Sequence, residues 1–220
     1  MGGTRNEGTL TVDTAFTCTF GERLYPTYAQ ALFRPLIGKS AADASVIEYE
    51  PADFPDGVRN TSASYWALSS SFGDFNILCP SLDFASALAL RQTAAYVYVF
   101  SHAPADNGFY TTQDFLAAYH AADVPFVFGT YYDFSPEEWS LVNTMQAEFL
   151  TFAATGRPGG NWSAWSEDAQ STRRWALAPP NFQIAMAIPE RCRFWATQPV
   201  YTPQPLGSGC PASPAVHHVP

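Results

Sequence analysis

Histidine is the side chain best suited to take a proton near neutral pH, and the chain has four of them. His217 and His218 lie in a proline-rich C-terminal stretch, which makes them poor candidates for catalysis. His102 follows an apolar run and is interpreted as a surface loop residue. His120 precedes an aromatic run, where a lone histidine is more often structural than catalytic. Taken by themselves, these four positions identify no catalytic base.

A serine nucleophile on a sharp strand-to-helix turn needs the pattern G-x-S-x-G, because larger neighbours do not fit there. The nearest match runs from Gly38 through Ser40, but it lacks the second glycine and follows no predicted strand. Ser40 is therefore interpreted as a helix N-cap. The four cysteines form no C-x-x-C pair and no cluster with histidine, so no metal site is expected: Cys18, Cys79, Cys192 and Cys210. The sequence thus contains no recognisable nucleophile.

Composition restricts the class of protein. The 220 residues are 47% apolar and 15% aromatic, enough for a substantial core, and only 14% are charged. The net charge is −9 with 11 basic residues, which excludes the basic surface that a nucleic-acid partner requires. No apolar run approaches the ~18 residues of a membrane span. The composition indicates a folded globular protein.

Two N-x-S/T sequons begin at Asn60 and Asn161. Each alone is a common coincidence, but together with an even cysteine count and an acidic pI they favour a glycoprotein of the secretory pathway or the extracellular space. A cytosolic protein with four free thiols is the alternative.

The elements that must position these residues are predicted from apolar spacing and from helix end signals. Helices are predicted over 22–34 (ended by Pro35 and Gly38), 61–72, 75–89, 190–196, and from the Ser135-Pro136-Glu137-Glu138 start to Thr155-Gly156. The last of these is expected to direct four apolar side chains inward: Leu141, Met145, Phe149 and Phe152. The run 95–100 predicts a strand covered on both faces, and a short strand is predicted over 182–188.

One folded unit is therefore expected over residues 1–198, in an α/β arrangement. The stretch 199–220 contains six prolines and is expected to be a disordered tail.

The order of several short motifs over residues 2–198 resembles the type-B carboxylesterase/cholinesterase family. The loop Gly3-Thr4-Arg5-Asn6-Glu7-Gly8 is similar to the one that carries the family's catalytic glutamate. The segment from His120 to Asp123, followed by Phe126-Val127-Phe128-Gly129, is similar to the one that carries its catalytic histidine. The remaining matches are the strand 96–100, the helix end 149–158, Cys79-Pro80, and Cys192-Arg193-Phe194-Trp195.

The resemblance implies the C-terminal portion of an α/β-hydrolase fold, made of the last sheet strands and their covering helices. It implies a serine esterase with Glu7 as the triad acid and His120 as the base, 113 residues apart. It places Asp123 behind the base and pairs Cys79 with Cys192, leaving Cys18 and Cys210 unassigned. The implied substrate is a small-molecule carboxylic ester, and no cofactor is expected.

The chain departs from the family pattern at Ala121, where the family has glycine, and at Asp123, where it has glutamate. Both changes are interpreted as conservative. They are therefore expected to affect the level of activity and not the assignment to the family. Leu10 and Thr11 stand where cholinesterases have aromatic residues lining the acyl and choline sites, so choline selectivity is not expected.

In α/β-hydrolases the triad follows the chain order Ser, acid, His. Since this chain begins at the acid, the N-terminal half with the nucleophile elbow and oxyanion hole is expected upstream of Met1. The chain alone is then expected to be inactive. The alternatives are a non-catalytic, esterase-like cell-surface adhesion domain, against which retention of both Glu7 and His120 argues, and a scaffold made of this part alone.

Overall fold

The structure is a computed structural model. It describes residues 1–16, 19–105, 114–166, 168–177, 182–185 and 190–198. Several sequence-based expectations fall outside these ranges: Cys18, Cys210, the tail 199–220, and the end of the strand predicted over 182–188.

A four-stranded mixed sheet forms the centre of the fold, in the order β1-β2-β3-β4. Its strands are β1 (Gly2–Thr4), β2 (Val97–Phe100), β3 (Ser171–Trp175) and β4 (Phe182–Ala185). The first three strands run parallel, and β4 pairs antiparallel with β3. Parallel strands joined through helices confirm the α/β class.

Seven α-helices occur in the described part of the chain: α1 (Thr9–Ala15), α2 (Tyr25–Glu48), α3 (Ala63–Gly73), α4 (Cys79–Leu90), α5 (Val124–Phe128), α6 (Pro136–Thr155) and α7 (Glu190–Thr197). A π-helical segment, Asp74–Leu78, joins α3 directly to α4. Short 3-10 turns occupy Pro51–Asp53, Val58–Asn60 and Asp114–Leu116. The helices expected near 61–72, 75–89, 136–155 and 190–196 are therefore confirmed. None of the helices described is long and apolar enough to cross a membrane.

Helix α2 corrects the expected end at Pro35. The helical path continues through Pro35 and breaks only at Gly38, whose φ of 79° and ψ of 170° are not helical, before a second segment runs on to Glu48. Phe33, Ile37 and Ala41 are all buried, so packing of this face favours continuation over the local helix-breaking effect of proline. Because the second segment starts just after Gly38, Ser40 lies inside its first turn and not at its cap.

Helix α6 begins with the predicted capping box. Ser135 Oγ accepts a hydrogen bond from the Glu138 amide at 3.2 Å, and Glu138 Oε2 accepts one from the Ser135 amide at 3.0 Å. Leu141 and Met145 are buried as expected. Phe152 is not: its side chain is 43% exposed, because it lies in the last turn of the helix at the edge of the core.

Buried side chains form two clusters. The first packs helices α1 to α4 and α7 together around Phe33, Tyr65 and Leu68. The second packs β2, β3, α5 and α6 together around Phe126 and Trp175. Val97 of β2 belongs to the first cluster and Phe100 to the second, so this strand is covered on both faces as predicted.

A disulfide joins Cys79, the first residue of α4, to Cys192 of α7, with 5.2 Å between the Cα atoms. This is the pairing implied by the resemblance, and it attaches the last described helix to the first cluster.

Candidate active site

The loop that follows β1 is tied to two other segments by backbone hydrogen bonds. The Arg5 amide donates to the Phe100 carbonyl at 2.8 Å, at the end of β2. The Asn6 amide donates to the Ala118 carbonyl at 3.0 Å, and the Ala118 amide donates back to Asn6 Oδ1 at 3.3 Å. Residues just before Glu7 are thereby held beside residues just before His120.

Glycines make room for the Glu7 side chain. An ideal Cβ on Gly3 would lie 2.5 Å from Glu7 Oε1, and one on Gly73 of α3 would lie 3.1 Å from Glu7 Cβ. Gly8 passes so close to α3 that an added Cβ would collide with the carbonyl of Ser69. The glycines on either side of Glu7 thus serve close backbone approach.

Glu7 and His120 form a hydrogen-bonded pair. Nδ1 of His120 lies 2.7 Å from Oε2 of Glu7, while Oε1 accepts the backbone amide of Thr4. The Glu7 side chain is 5% exposed and that of His120 is 56% exposed. Because a carboxylate can only accept, Nδ1 carries the proton and Nε2 is the basic nitrogen. The arrangement therefore holds one edge of the imidazole and leaves the other open.

A surface hollow of about 270 Å³ lies beside this pair. In addition to Glu7 and His120, it is lined by Thr11, Phe72, Gly73, Asn76 and Ile77. Phe72, Asn76 and Ile77 come from the end of α3 and the π-helical segment, and no sequence motif marks them as site residues. Thr11 faces the hollow, whereas Leu10 packs on the second cluster.

Asp123 is buried in the turn that begins at His120. Its Oδ2 accepts the hydroxyl proton of Tyr98, a residue of β2, at 2.7 Å. Burial raises the pKa of the Tyr98 phenol, and the negative charges of Asp123 and Glu7 raise it further. Tyr98 therefore stays a hydrogen-bond donor at all physiological pH values.

Ala121 has a φ of 66°, in the left-handed region that glycine adopts without cost. An alanine there costs about 1 kcal/mol or more in backbone strain. The replacement of glycine by Ala121 is therefore not conservative for the backbone, contrary to the sequence-based reading.

His102 lies in a loop as predicted, but it is not a surface residue. Its side chain is 14% exposed, and Nε2 lies 2.7 Å from Glu138 Oε1, which also accepts the Ala105 amide at 2.9 Å. Burial acts to raise the pKa of Glu138, but the hydrogen bonds from Ala105, His102 and Ser135 outweigh it and lower that pKa. His102 thus connects the loop after β2 to the start of α6.

The two sequon asparagines are exposed. Asn60 ends a 3-10 turn, and Asn161 lies in the turn before the buried Trp162. Both are accessible to a modifying enzyme, and their glycosylation stays a prediction.

The pair can act as a general base for a hydroxyl placed at Nε2, with the carboxylate stabilising the imidazolium that forms. Among the described residues, Glu7 is the one hydrogen-bond partner of the His120 ring. Within the described ranges, no hydroxyl or thiol forms a hydrogen bond with Nε2 of His120.

Comparisons with known proteins show which family and which chains this sequence is similar to. A family model described as the carboxylesterase family matches residues 11–195. The acetylcholinesterase of Bungarus fasciatus is 28% identical over 165 residues, covering 70% of this chain and 26% of that protein. The acetylcholinesterase of Gallus gallus is 28% identical over 170 residues (73% and 21%), and carboxylesterase 3B of Mus musculus is 25% identical over 138 residues (58% and 24%). The chain spans about a quarter of the length of these relatives.

Proposed function

The chain belongs to the carboxylesterase family, and from that premise we propose that it carries the acid and the base of a Ser-Glu-His triad for hydrolysis of carboxylic esters. Glu7 is the acid and His120 is the base. The observation that carries the proposal is the 2.7 Å contact between Glu7 Oε2 and His120 Nδ1, with the carboxylate buried and the ring open to the hollow.

In this mechanism a serine hydroxyl lies at Nε2 of His120 and attacks the ester carbonyl. His120 takes the hydroxyl proton and then gives it to the leaving alcohol, which leaves the serine acylated; a water molecule that gives its proton to His120 then releases the carboxylic acid and restores the serine. Glu7 accepts from Nδ1–H, keeps the ring in the required tautomer and stabilises the imidazolium. Loss of the charge at the acid position costs about 10⁴ in kcat in enzymes of this type.

The nucleophile and the oxyanion donors are proposed to come from sequence outside these 220 residues. Two observations support this: the chain contains no G-x-S-x-G pattern, and it spans about a quarter of the length of its relatives. A single oxyanion donor is worth about 10²–10³ in kcat. The chain alone should therefore hydrolyse esters no faster than the buffer does.

The first experiment is hydrolysis of p-nitrophenyl acetate by the purified chain. We expect the background rate, unchanged by His120→Ala. A rate above background that His120→Ala abolishes would show that the chain contains a complete site and would contradict the proposed division.

The second experiment supplies the missing parts by co-expression with the serine-bearing N-terminal portion of a related carboxylesterase. We expect hydrolysis that falls about 10⁴-fold with Glu7→Gln and is unchanged by Glu137→Gln, which removes an exposed carboxylate at the start of α6. Hydrolysis that tolerates Glu7→Gln would exclude Glu7 as the triad acid.

We also propose that the protein matures in the secretory pathway. The Cys79–Cys192 disulfide requires an oxidising compartment, and Asn60 and Asn161 are exposed acceptors. Expression in a secretory host should yield a protein whose mass falls on treatment with an N-glycosidase. The same treatment should leave the Asn60→Gln/Asn161→Gln variant unchanged.

A further inference from the structure

The turn that carries His120 is held to the sheet at its far end. Asp123, three residues after His120, accepts the Tyr98 hydroxyl at 2.7 Å, and both side chains lie within the fold. A hydrogen bond from a hydroxyl to a carboxylate is among the stronger neutral-to-charged kinds. It therefore connects the last residue of the turn to strand β2.

The turn needs such an anchor because its own conformation is strained. Ala121 adopts a φ of 66°, which an L-residue adopts only at a cost. The turn closes with backbone bonds from Ala122 to Tyr119 at 3.0 Å and from Val124 to Ala121 at 3.1 Å. A strained backbone conformation persists only where contacts with the surrounding structure hold it in place. For this turn, the buried side chain of Asp123 provides such a contact to strand β2.

The Tyr98 ring is a rigid support for that bond. Gly2, which pairs with Tyr98 across the sheet, leaves the space for the ring: an ideal Cβ on Gly2 would lie 2.6 Å from Tyr98 Cε1. The ring also packs edge-on against Phe149 and Trp162, with centroid distances of 5.7 and 6.1 Å. Its hydroxyl is thus presented in one fixed position.

We propose that Tyr98 is a positioning residue for His120 and acts through Asp123. The inference rests on the proposed role of His120 as the base. Glu7 binds Nδ1 of the imidazole and lies on the face of β1 where Gly3 leaves space for it. The Tyr98 ring, which anchors the turn, lies on the face where Gly2 leaves space. Since neighbouring strand residues face opposite sides of a sheet, the two adjacent glycines let His120 be fixed from both faces.

The test uses the 220-residue chain and follows by NMR the His120 Nδ1 proton that is donated to Glu7. In Tyr98→Phe we expect this proton to exchange with water roughly five- to tenfold faster, the factor that one ordinary hydrogen bond contributes. The matched control is Tyr96→Phe, just before β2 and packed on the same cluster as Tyr98, whose hydroxyl forms no hydrogen bond within the described residues; it should leave the exchange rate unchanged. Equal rates in Tyr98→Phe and the unmodified chain would overturn the proposal.

Asp123 tests the same bond from its other end. Asp123→Asn keeps an oxygen that can accept the Tyr98 hydroxyl, so its His120 Nδ1 proton should exchange at nearly the rate of the unmodified chain. In Asp123→Ala this proton should exchange as fast as in Tyr98→Phe. If Tyr98→Phe fails to give a folded chain by near-ultraviolet circular dichroism, Asp123→Ala decides, because unchanged exchange there would also overturn the proposal. This measurement does not depend on ester hydrolysis. If the co-expressed enzyme showed no hydrolysis, the proposed function would be contradicted, but the exchange rates would still test the role of Tyr98.

Discussion

The backbone of Gly8 lies directly against Gly73 at the end of helix α3: an ideal Cβ on Gly73 would lie 3.0 Å from the Gly8 nitrogen. A Cβ on Gly8 would collide with the carbonyl of Ser69, one turn earlier in the same helix. The neighbouring Glu7 owes its position to this contact, because the loop can cross α3 only where neither segment has a side chain. The structural and the chemical roles of this loop therefore depend on the same two glycines.

Gly8→Ala should lower the free energy of unfolding by about 1–3 kcal/mol, since overpacking forces backbone segments apart. It should also weaken the Glu7–His120 hydrogen bond, because Glu7 moves with the loop. Urea unfolding and the His120 Nδ1 proton signal measure the two effects. The control is Gly21→Ala, where the added Cβ meets nothing within 4 Å. Equal stability of the two variants would show that the loop can shift without cost.

Ala121→Gly should raise the free energy of unfolding by about 1 kcal/mol, because glycine adopts the φ of 66° without the strain that alanine carries. Thermal and urea unfolding measure the change. Ala122→Gly provides the comparison: Ala122 is buried and is not among the positive-φ residues of the described chain, so losing its methyl group should destabilise the protein. A loss of stability in both variants would argue against strain at Ala121.

Asp74 should make stability depend on pH in the acid range. Burial raises the pKa of Asp74 to about 6 from 3.8, although the hydrogen bond from Tyr49 and the charge of Arg191 act to lower it. The folded state therefore binds this proton more tightly than the unfolded state does. The stabilisation of the folded state by protonated Asp74 is fully present below pH 3.8 and is lost as the pH rises through about 6.

Asp74→Asn removes this titration. Relative to Asp74→Asn, the unmodified protein should gain about 2 kcal/mol in free energy of unfolding as the pH falls from 7 to 4. Urea unfolding at several pH values measures the difference. Asp83→Asn, which changes an exposed carboxylate on α4, should not reproduce it. Parallel pH profiles for Asp74→Asn and the unmodified protein would contradict the expectation.

The Cys79–Cys192 disulfide should contribute several kcal/mol. It closes a loop of 113 residues, for which restriction of the unfolded chain is worth about 4–5 kcal/mol. Reduction of the unmodified protein should lower the free energy of unfolding by about that amount. The Cys79→Ser/Cys192→Ser variant should show the same lower value and no response to reductant. A response to reductant that persists in this variant would assign the effect to the other cysteines.

Local sequence signals were sufficient for much of the secondary structure. The capping box at Ser135 and the apolar run of β2 each depend on a few neighbouring residues, and both were predicted correctly. Pro35 shows the limit of that approach. Its helix-breaking tendency is local, but the burial of Phe33, Ile37 and Ala41 on one face outweighs it, and burial is a property of the assembled core.

The sequence by itself determined the family, because the order and spacing of short motifs identified it, and it also singled out Glu7 and His120 as the residues proposed for the acid and the base. Only the tertiary structure decided that Glu7 and His120, 113 residues apart, meet at 2.7 Å. It alone decided that His102 pairs with Glu138 and that Ala121 is strained. The physical reason is that motifs reflect the demands of neighbouring residues, whereas a contact between distant side chains exists only once the strands and helices that carry them have packed.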